Sequence, residues 1–202
     1  MMRKINILFV IPQLEKGGSE TLVYNIATRL ERCRFNAAVA YFQYYGNEIF
    51  RNAFRNHDVR LYHVPVNRSV DLSAMRLMAR IVRENDIHIV NAHHFISMVY
   101  SFHACKIANR RRLVYTEHSS WEVDRATLKW KVLGGMLIRQ LDCVMGISDD
   151  VTKAIRDKYL LGDKHTITIR NGVELDDVND ARDIKAIRNE FDLNDETKII
   201  AT

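Results

Sequence analysis

Two glycines and two polar residues, Gly17-Gly18-Ser19-Glu20, follow an apolar run near the amino terminus and precede a segment of helical period. Glycines let a ligand approach the backbone closely, and the N–H groups at the start of a helix attract anions. This spacing is therefore suited to binding a phosphate group. A tight turn without a ligand is the alternative, and the motif taken alone slightly favours it. Ser19 is the predicted N-cap of the helix, with Glu20 in its first turn.

The loop departs from the two common nucleotide-binding patterns. The dinucleotide fingerprint requires G-x-G-x-x-G and the P-loop requires G-x-x-x-x-G-K-[ST], and the chain has neither here. The loop therefore predicts no Rossmann dinucleotide site and no P-loop.

Histidines and other polar residues recur farther along the chain. Asn91, His93 and His94 follow one apolar run, and Glu117, His118 and Ser119 follow the next. A catalytic zinc site needs three protein ligands in a specific geometry, and a structural site needs four. Because no carboxylate or thiol is clearly placed to complete such a set, no metal site is predicted.

The elements that must position these residues follow from the hydrophobic pattern, in which β-branched or aromatic runs alternate with segments of helical period. The predicted strands are Ile5 to Ile11, Ala37 to Phe42, Val59 to Val64, Ile87 to Asn91, Leu113 to Glu117, Cys143 to Ile147 and Thr166 to Ile169. Such alternation favours a mostly parallel sheet with helices on both faces. In these sheets ligands bind at the carboxyl ends of the strands, which is where the polar residues above are expected.

Composition places the chain among soluble proteins. Its 202 residues are 47% hydrophobic, with thirty basic and twenty-five acidic residues for a formal charge of +5. No apolar run approaches the roughly 20 residues that span a bilayer, and the amino terminus lacks a signal-peptide pattern. Cys33, Cys105 and Cys143 are odd in number and widely spaced, as in a reducing compartment. A cytoplasmic protein is therefore predicted.

Two basic stretches leave a second interpretation open. Arg110-Arg111-Arg112 is one, and the other is the predicted helix from Ala126 to Gln140, where Lys129 and Lys131 flank Trp130. Peripheral contact with an anionic membrane, at its inner face, is one interpretation. Packing of the apolar stripe on the core is the other, and it is favoured. Gly134-Gly135 within this helix favours a break or close packing, because each glycine costs about 1 kcal/mol relative to alanine.

Five motifs in order resemble the amino-terminal Rossmann-like domain of a GT-B fold glycosyltransferase of family 4. They are Gly17-Gly18-Ser19-Glu20, Ile89-Val90-Asn91-Ala92-His93, Val114-Tyr115-Thr116-Glu117-His118, Gly146-Ile147-Ser148 and Ile169-Arg170-Asn171-Gly172-Val173. The resemblance covers about residues 3 to 175. It implies an α/β fold, a Rossmann-like three-layer domain with a mostly parallel sheet that forms the amino-terminal half of a GT-B fold.

The resemblance also implies an activity. Family members move a sugar from a nucleotide-diphosphate donor to an acceptor, with retention at the anomeric carbon and generally without a metal. Their amino-terminal domain mostly holds the acceptor, and their second domain holds the nucleotide. For this protein it implies a retaining transferase of polysaccharide biosynthesis with a nucleotide-sugar co-substrate, no further cofactor, a glycan or glycolipid acceptor and no nucleic acid partner.

By the same resemblance, His118 matches the catalytic histidine near the transferred sugar, where it hydrogen-bonds a sugar hydroxyl or stabilises charge without acting as a general base. Gly17 and Gly18 match contacts to the donor diphosphate or the acceptor. Trp121 either stacks on a sugar face or caps the core. The further candidate binding residues are Glu20, Asn91, His93, Glu117 and Ser119, and Asn91 departs from the histidine common at its position.

The end of the chain differs from the rest. Residues 1–175 are expected to form the Rossmann-like domain, residues 176–196 a linker with a short helix, and residues 197–202 the first strand of a second domain. A chain that stops in a core strand is expected to continue in the natural protein, so the isolated chain is expected to be inactive. Two alternatives stay open: half of a sugar-nucleotide epimerase, or a stand-alone nucleotide- or sugar-binding regulatory module.

Overall fold

A computed structural model describes residues 3–67, 70–109, 112–120, 128–162, 165–172, 181–194 and 196–197. The chain divides into two units, Met1–Asn171 and Gly172–Thr202. The domain limits at residues 175 and 196 stay predictions, and the strand predicted at the end of the chain lies outside the described residues, except for Thr197.

The first unit alternates strands and helices. Its elements are β1 (Ile5–Leu14), α1 (Gly18–Arg29), β2 (Phe35–Tyr44), α2 (Glu48–Asn56), β3 (Arg60–His63), α3 (Leu72–Glu84), β4 (Ile89–His93), α4 (Phe95–Ile107), β5 (Arg112–Glu117), α5 (Leu128–Ile138), β6 (Cys143–Gly146), α6 (Asp149–Tyr159) and β7 (Thr166–Thr168). The second unit contains α7 (Ala181–Glu190).

The seven strands form one parallel sheet in the order β3-β2-β1-β4-β5-β6-β7. The strand order reverses at β1, which pairs with β2 on one side and with β4 on the other. Val10 pairs with Ala92, so the ends of β1 and β4 that carry the glycine loop and the histidines lie next to each other. This sheet confirms the predicted α/β Rossmann-like fold.

Two buried clusters show that helices cover both faces of the sheet. On one face, Val23 of α1 and Phe54 of α2 pack with Phe9 and Val39 of the strands. On the other face, Leu8 and Val90 pack with residues from four helices, which are Met78 of α3, Met98 of α4, Leu137 of α5 and Ile155 of α6. The sheet is thus the middle of three layers, as the alternating pattern predicts.

Strand β4 ends later than its sequence pattern indicates. The predicted strand ended at Asn91, whereas the observed strand runs from Ile89 to His93. Asn91 is accommodated inside the sheet because its Oδ1 accepts a hydrogen bond of 2.9 Å from Oγ1 of Thr116 on β5. A polar residue therefore does not mark the end of this strand.

Helix α5 passes through Gly134-Gly135 without a break. A Cβ at Gly134 would lie 2.8 Å from Cε2 of Phe95, at the start of α4, and 3.2 Å from a ring carbon of Tyr159. Of the two outcomes that the glycine pair predicted, close packing is the one observed. Among the described helices, none is long and apolar enough to cross a membrane.

Candidate functional site

The candidate site lies where the strand order reverses, at the carboxyl ends of β1 and β4. Helices α1 and α4 begin directly after these two strands, so their amino ends meet at the same edge of the sheet. A cavity of about 520 Å³ opens between them. It is lined by Pro12, Gln13, Ser19, Glu20, His94, Phe95 and Ile96.

Helix α1 begins two residues earlier than predicted. Gly17 is the N-cap, with φ −128° and ψ 177°, so Ser19 is the second residue of the helix and the prediction that it caps α1 is wrong. The carboxylate of Glu20 folds back over the loop. It lies so close that a Cβ at Gly17 would be 2.6 Å from Oε2 of Glu20. Gly18 faces open space and has no atom within 4 Å of such a Cβ. The two adjacent glycines therefore do different things: one makes room for a buried carboxylate, and the other leaves the backbone accessible.

His94 is the N-cap of α4 and has an unusual backbone conformation, with φ 67° and ψ 157°. This region is occupied essentially only by glycine, and a side chain there costs about 1–3 kcal/mol. The backbone N–H of His94 donates to the carbonyl of Thr116 over 3.1 Å, which ties the turn to β5. Such strain in a folded protein indicates that the side chain is needed at this place.

Neither of the two helices that begin at the cavity has a side-chain cap, whereas α2, α3 and α6 are capped by Asn47, Asp71 and Ser148. The first N–H groups of a helix have no intrahelical partner, and a side-chain cap normally satisfies one or two of them. At α1 and α4 these N–H groups and the helix dipole are directed at the shared edge. The cavity is therefore suited to an anionic group.

Hydrogen bonds and a ring stack join α1, the start of α4 and the loop after β5. Nε2 of His94 lies 2.9 Å from Oγ of Ser19, and this hydroxyl donates to Oε2 of Glu20 over 2.8 Å. The ring of His94 stacks on that of His118 with centroids 4.8 Å apart. Nδ1 of His93 lies 2.8 Å from Nε2 of His118. His93 and His118, separated by twenty-five positions in sequence, thus lie together at the carboxyl ends of β4 and β5.

The donor of each of these hydrogen bonds can be inferred from the groups at the two ends of the row, Glu20 and His93. An ionised Glu20 only accepts, so Ser19 donates to it and His94 donates to Ser19 through Nε2. Burial, and then the nearby rings of His118 and His94, holds the pKa of His93 well below its ordinary value of 6.5, so His93 is neutral. Its Nε2 is buried and has no partner among the described residues. An unpaired acceptor costs less than an unpaired N–H, so we infer that His93 donates from Nδ1 to His118.

Glu117 lies beneath these hydrogen-bonded residues and does not line the cavity. Its side chain is 1% exposed, and its Oε1 accepts from the backbone N–H groups of His118 at 2.8 Å and Ser119 at 3.2 Å. Its Oε2 accepts from the hydroxyl of Tyr115. Burial, followed by the Glu117 charge, raises the pKa of Tyr159 to about 12. The carboxylate therefore holds the turn that carries His118.

The structure separates the predicted site residues into three groups. Gly17, Gly18, Glu20, His93 and His118 lie together at the carboxyl ends of β1, β4 and β5, with Glu117 and Ser119 in the supporting turn. Asn91 lies deeper in the sheet, two residues before the end of β4. Trp121 lies outside the described residues. The roles of all these residues in binding and catalysis stay predictions.

His94 is the residue that the sequence reasoning passed over. It follows His93 directly but is not among the predicted site residues, and only the structure shows that both rings reach His118. The available signal was its position as the first residue after the strand, next to a helix start.

A cavity of about 590 Å³ lies at the opposite edge of the sheet, near the amino ends of β4 and β5. Its polar side chains bind each other: Lys106 donates to Gln140 over 3.3 Å and Arg112 pairs with Asp142 over 2.7 Å. In the described part of the chain, no group of three or more His, Cys, Asp and Glu side chains is arranged to hold a metal ion. The smaller cavity is therefore the better candidate, because uncapped helix ends meet there.

Comparison with known proteins identifies a family and a fold. The model of Glycosyltransferase Family 4 matches residues 16–177. HepE of Anabaena, solved with UDP-glucose, has a TM-score of 0.75 at 20% identity over 93% of this chain and 50% of its own. A glycosyltransferase of Rickettsia africae has a TM-score of 0.72 at 17% identity over 97% of this chain and 52% of its own. WaaB, a lipopolysaccharide outer core galactosyltransferase, has a TM-score of 0.66 at 16% identity over 84% of this chain and 46% of its own.

The chain thus spans about half the length of these solved structures and has the fold of one half of a GT-B enzyme. No curated protein sequence gives a significant match. The predicted family resemblance and fold are both confirmed.

Proposed function

We propose that this chain, which belongs to Glycosyltransferase Family 4, is the acceptor-binding half of a retaining glycosyltransferase that moves a sugar from a nucleotide-sugar donor to a glycan or glycolipid. The isolated chain then lacks the half that holds most of the nucleotide and does not turn over. HepE was solved with UDP and with UDP-glucose, which supports a nucleotide sugar as the donor here.

One observation carries the proposal: the uncapped amino ends of α1 and α4 meet at one cavity beside His118. Glycosyl transfer from a nucleotide diphosphate develops positive charge on the sugar and negative charge on the departing phosphate. Preorganised N–H groups stabilise such a negative charge without reorganising during the reaction. Gly18, which has open space around its Cα, allows the ligand to approach them.

The role proposed for His118 is to act on the sugar and not as a general base. Since His93 donates to Nε2 of His118, a neutral His118 carries its proton on Nδ1 and is a hydrogen-bond donor there. The stack with His94 and the turn held by Glu117 fix the orientation of the ring. Donation from a fixed ring to a sugar hydroxyl, strengthened as charge develops, is the role proposed for it. No metal is needed for this role.

Membership of a transferase family favours this proposal over the epimerase and the regulatory module. The experiment uses the full-length protein with a panel of nucleotide sugars, and follows product by chromatography and its anomeric configuration by NMR. His118→Ala is expected to lower kcat by about 10²-fold or more, the usual cost of a lost transition-state donor. His165→Ala, which changes an exposed histidine beside β7, is the matched control and is expected to keep full activity.

Unchanged turnover in His118→Ala would refute the role of this histidine, and inversion at the anomeric carbon would refute retention. Calorimetry on the 202-residue chain tests the division of labour separately. Little affinity for nucleotide sugars is expected, and tight binding would overturn the assignment of the nucleotide to the missing half.

A further inference from the structure

The Asn171-Gly172 pair belongs to the last of the five sequence motifs, and the proposed function gives it no role. Of all the asparagines in the chain, only Asn171 is followed by glycine. The amide carbon of an asparagine side chain can be attacked by the backbone nitrogen of the next residue, which closes a five-membered ring. Glycine hinders this attack least because it has no Cβ and has the freest backbone. The pair is therefore chemically labile wherever the fold leaves it open.

The side chain of Asn171 is accessible and unrestrained. The residues just before it are held in place: the N–H of Ile169 donates to the carbonyl of Gly146 over 3.0 Å, and Nη2 of Arg170 donates to Oδ2 of Asp149 over 2.7 Å. Asn171 itself is exposed, and it forms no hydrogen bond with any residue that the structure describes. Its amide group is thus free to turn toward the next residue.

The backbone of Gly172 is equally accessible. This residue is exposed, its N–H donates to no acceptor in the described part of the chain, and a Cβ built on it would have no atom within 4 Å. A backbone N–H that is already hydrogen-bonded must lose that bond before its nitrogen can attack. Asn171 therefore has both requirements for ring closure, a free amide group and a free neighbouring N–H.

Two other exposed asparagines lack the second requirement. Asn52 lies within α2, where the next N–H is part of the helical hydrogen-bond ladder. Asn56 is the last residue of α2, and the N–H of His57 after it donates to the carbonyl of Phe54 over 3.1 Å. Exposure of the side chain is thus common to all three asparagines, whereas the free N–H distinguishes Asn171.

We propose that Asn171 is a site of spontaneous deamidation and isomerisation in the folded protein. The backbone nitrogen of Gly172 gives up its proton and bonds to Cγ of Asn171, the Cγ–Nδ2 bond breaks, and the NH₂ group leaves with a proton as ammonia. Water then opens the resulting succinimide ring. Attack at Cγ gives aspartate, and attack at the backbone carbonyl gives isoaspartate. The net reaction consumes one water, releases one ammonia and requires no oxidant or cofactor.

Both products change the covalent connection between the two units, which meet in sequence at Asn171 and Gly172. A neutral amide becomes a carboxylate next to Arg170 in sequence. In isoaspartate the main chain also runs through Cβ and Cγ, so the backbone is one carbon longer at this point. Because the modification accumulates with time, the charge and the length of this connection depend on the age of the molecule. The inference goes beyond the proposed function and does not rest on it.

The test compares the full-length protein with a synthetic peptide of the sequence Ile169-Arg170-Asn171-Gly172-Val173. Both are incubated in mildly alkaline buffer, and the protein is then digested at mildly acidic pH, where ring closure is slow. Mass spectrometry detects the replacement of NH₂ by OH at Asn171, and an isoaspartate-specific methyltransferase measures the isomer. One hydrogen bond to the Gly172 N–H would slow the reaction about fivefold, so the folded protein is expected to react within about twofold of the peptide.

Two variants and two internal controls complete the experiment. Asn171→Gln keeps the amide but must close a six-membered ring, and it is expected to stay unmodified over the same period. Gly172→Ala is expected to react about threefold or more slowly, because alanine lacks the backbone freedom of glycine, and the open space at this position allows it to fold normally. Asn52 and Asn56 are expected to stay unmodified in the same digest. Circular dichroism checks that each variant is folded.

Three results would overturn the proposal. One is an unmodified Asn171 in the protein after the peptide has been converted, which would mean that the fold restrains the pair. The others are equal modification at Asn52 and Asn56, and a Gly172→Ala variant that reacts as fast as the natural chain. Since none of these measurements uses a sugar donor, failure here leaves the transferase assignment to its own experiment.

Discussion

Replacing the strained His94 by glycine and by alanine is expected to change stability to different extents. Both variants lose the hydrogen bond to Ser19, worth about 1 kcal/mol, and the stack on His118. Glycine also relieves the strain of a side chain at φ 67° and ψ 157°, worth about 1–3 kcal/mol, but it loses about 0.4–1 kcal/mol through the freedom of the unfolded chain. His94→Gly is therefore expected to be more stable than His94→Ala by about 1–2 kcal/mol.

The assay is equilibrium unfolding in urea followed by circular dichroism, with linear extrapolation to water. His94→Gly should lie close to the natural chain, and His94→Ala should lie about 1–2 kcal/mol below it. In the full-length protein both variants should lose transferase activity, because His94 no longer links the two helix ends that border the cavity. Equal stability of the two variants would refute the strain, and full activity of His94→Gly would refute the positioning role.

The remaining predictions concern the matched pair Gly17 and Gly18, then Gly134, and then the buried imidazole of His93. Gly17→Ala should displace the Glu20 carboxylate and destabilise the fold, whereas Gly18→Ala should fold normally but impair turnover of the full-length protein; the reverse order in urea unfolding would contradict this. Gly134→Ala should cost up to about 2 kcal/mol in the same assay, because the overlap of its Cβ with the ring at the start of α4 costs about 1–3 kcal/mol and the higher helix propensity of alanine returns about 1 kcal/mol. A gain in stability would show that the helices can separate. The pKa of His93 is lowered on folding, so the unfolded chain binds more protons below pH 6.5. The free energy of unfolding should therefore decrease as the pH is lowered below 6.5, by up to about 1.4 kcal/mol per pH unit. His93→Gln should have a shallower slope, and an unchanged slope would contradict the assignment.

Local pattern predicted the elements well because it reflects their chemistry. The alternation of apolar runs with segments of helical period predicted seven strands, and all seven are present in one parallel sheet. The ends of the strands were predicted less well where a polar side chain inside the sheet is hydrogen-bonded by a neighbouring strand, as Asn91 is by Thr116. Such a partner cannot be identified from the strand's own residues, since it lies twenty-five positions away.

The helix start at the glycine loop shows the same limit. Ser19 has the usual chemistry of an N-cap, yet Gly17 takes that position and Ser19 binds Glu20 and His94 instead. Ser148, in an equally typical context, does cap its helix by accepting from the N–H of Val151. The N-cap propensity of serine is the same at both positions. The difference comes from the buried carboxylate of Glu20 and from His94, which both bind Ser19.

The sequence by itself determined the layer order, the edge of the sheet at which polar residues collect and the family to which the chain belongs. These follow from periodicity and from motifs of adjacent residues, which are local properties. Tertiary structure alone decided that His93 and His94 both reach His118, and that Glu117 supports a turn and does not line the cavity. Each of these depends on which strands and helices become neighbours, and hydrogen bonding and burial between distant segments are settled only when the sheet has formed.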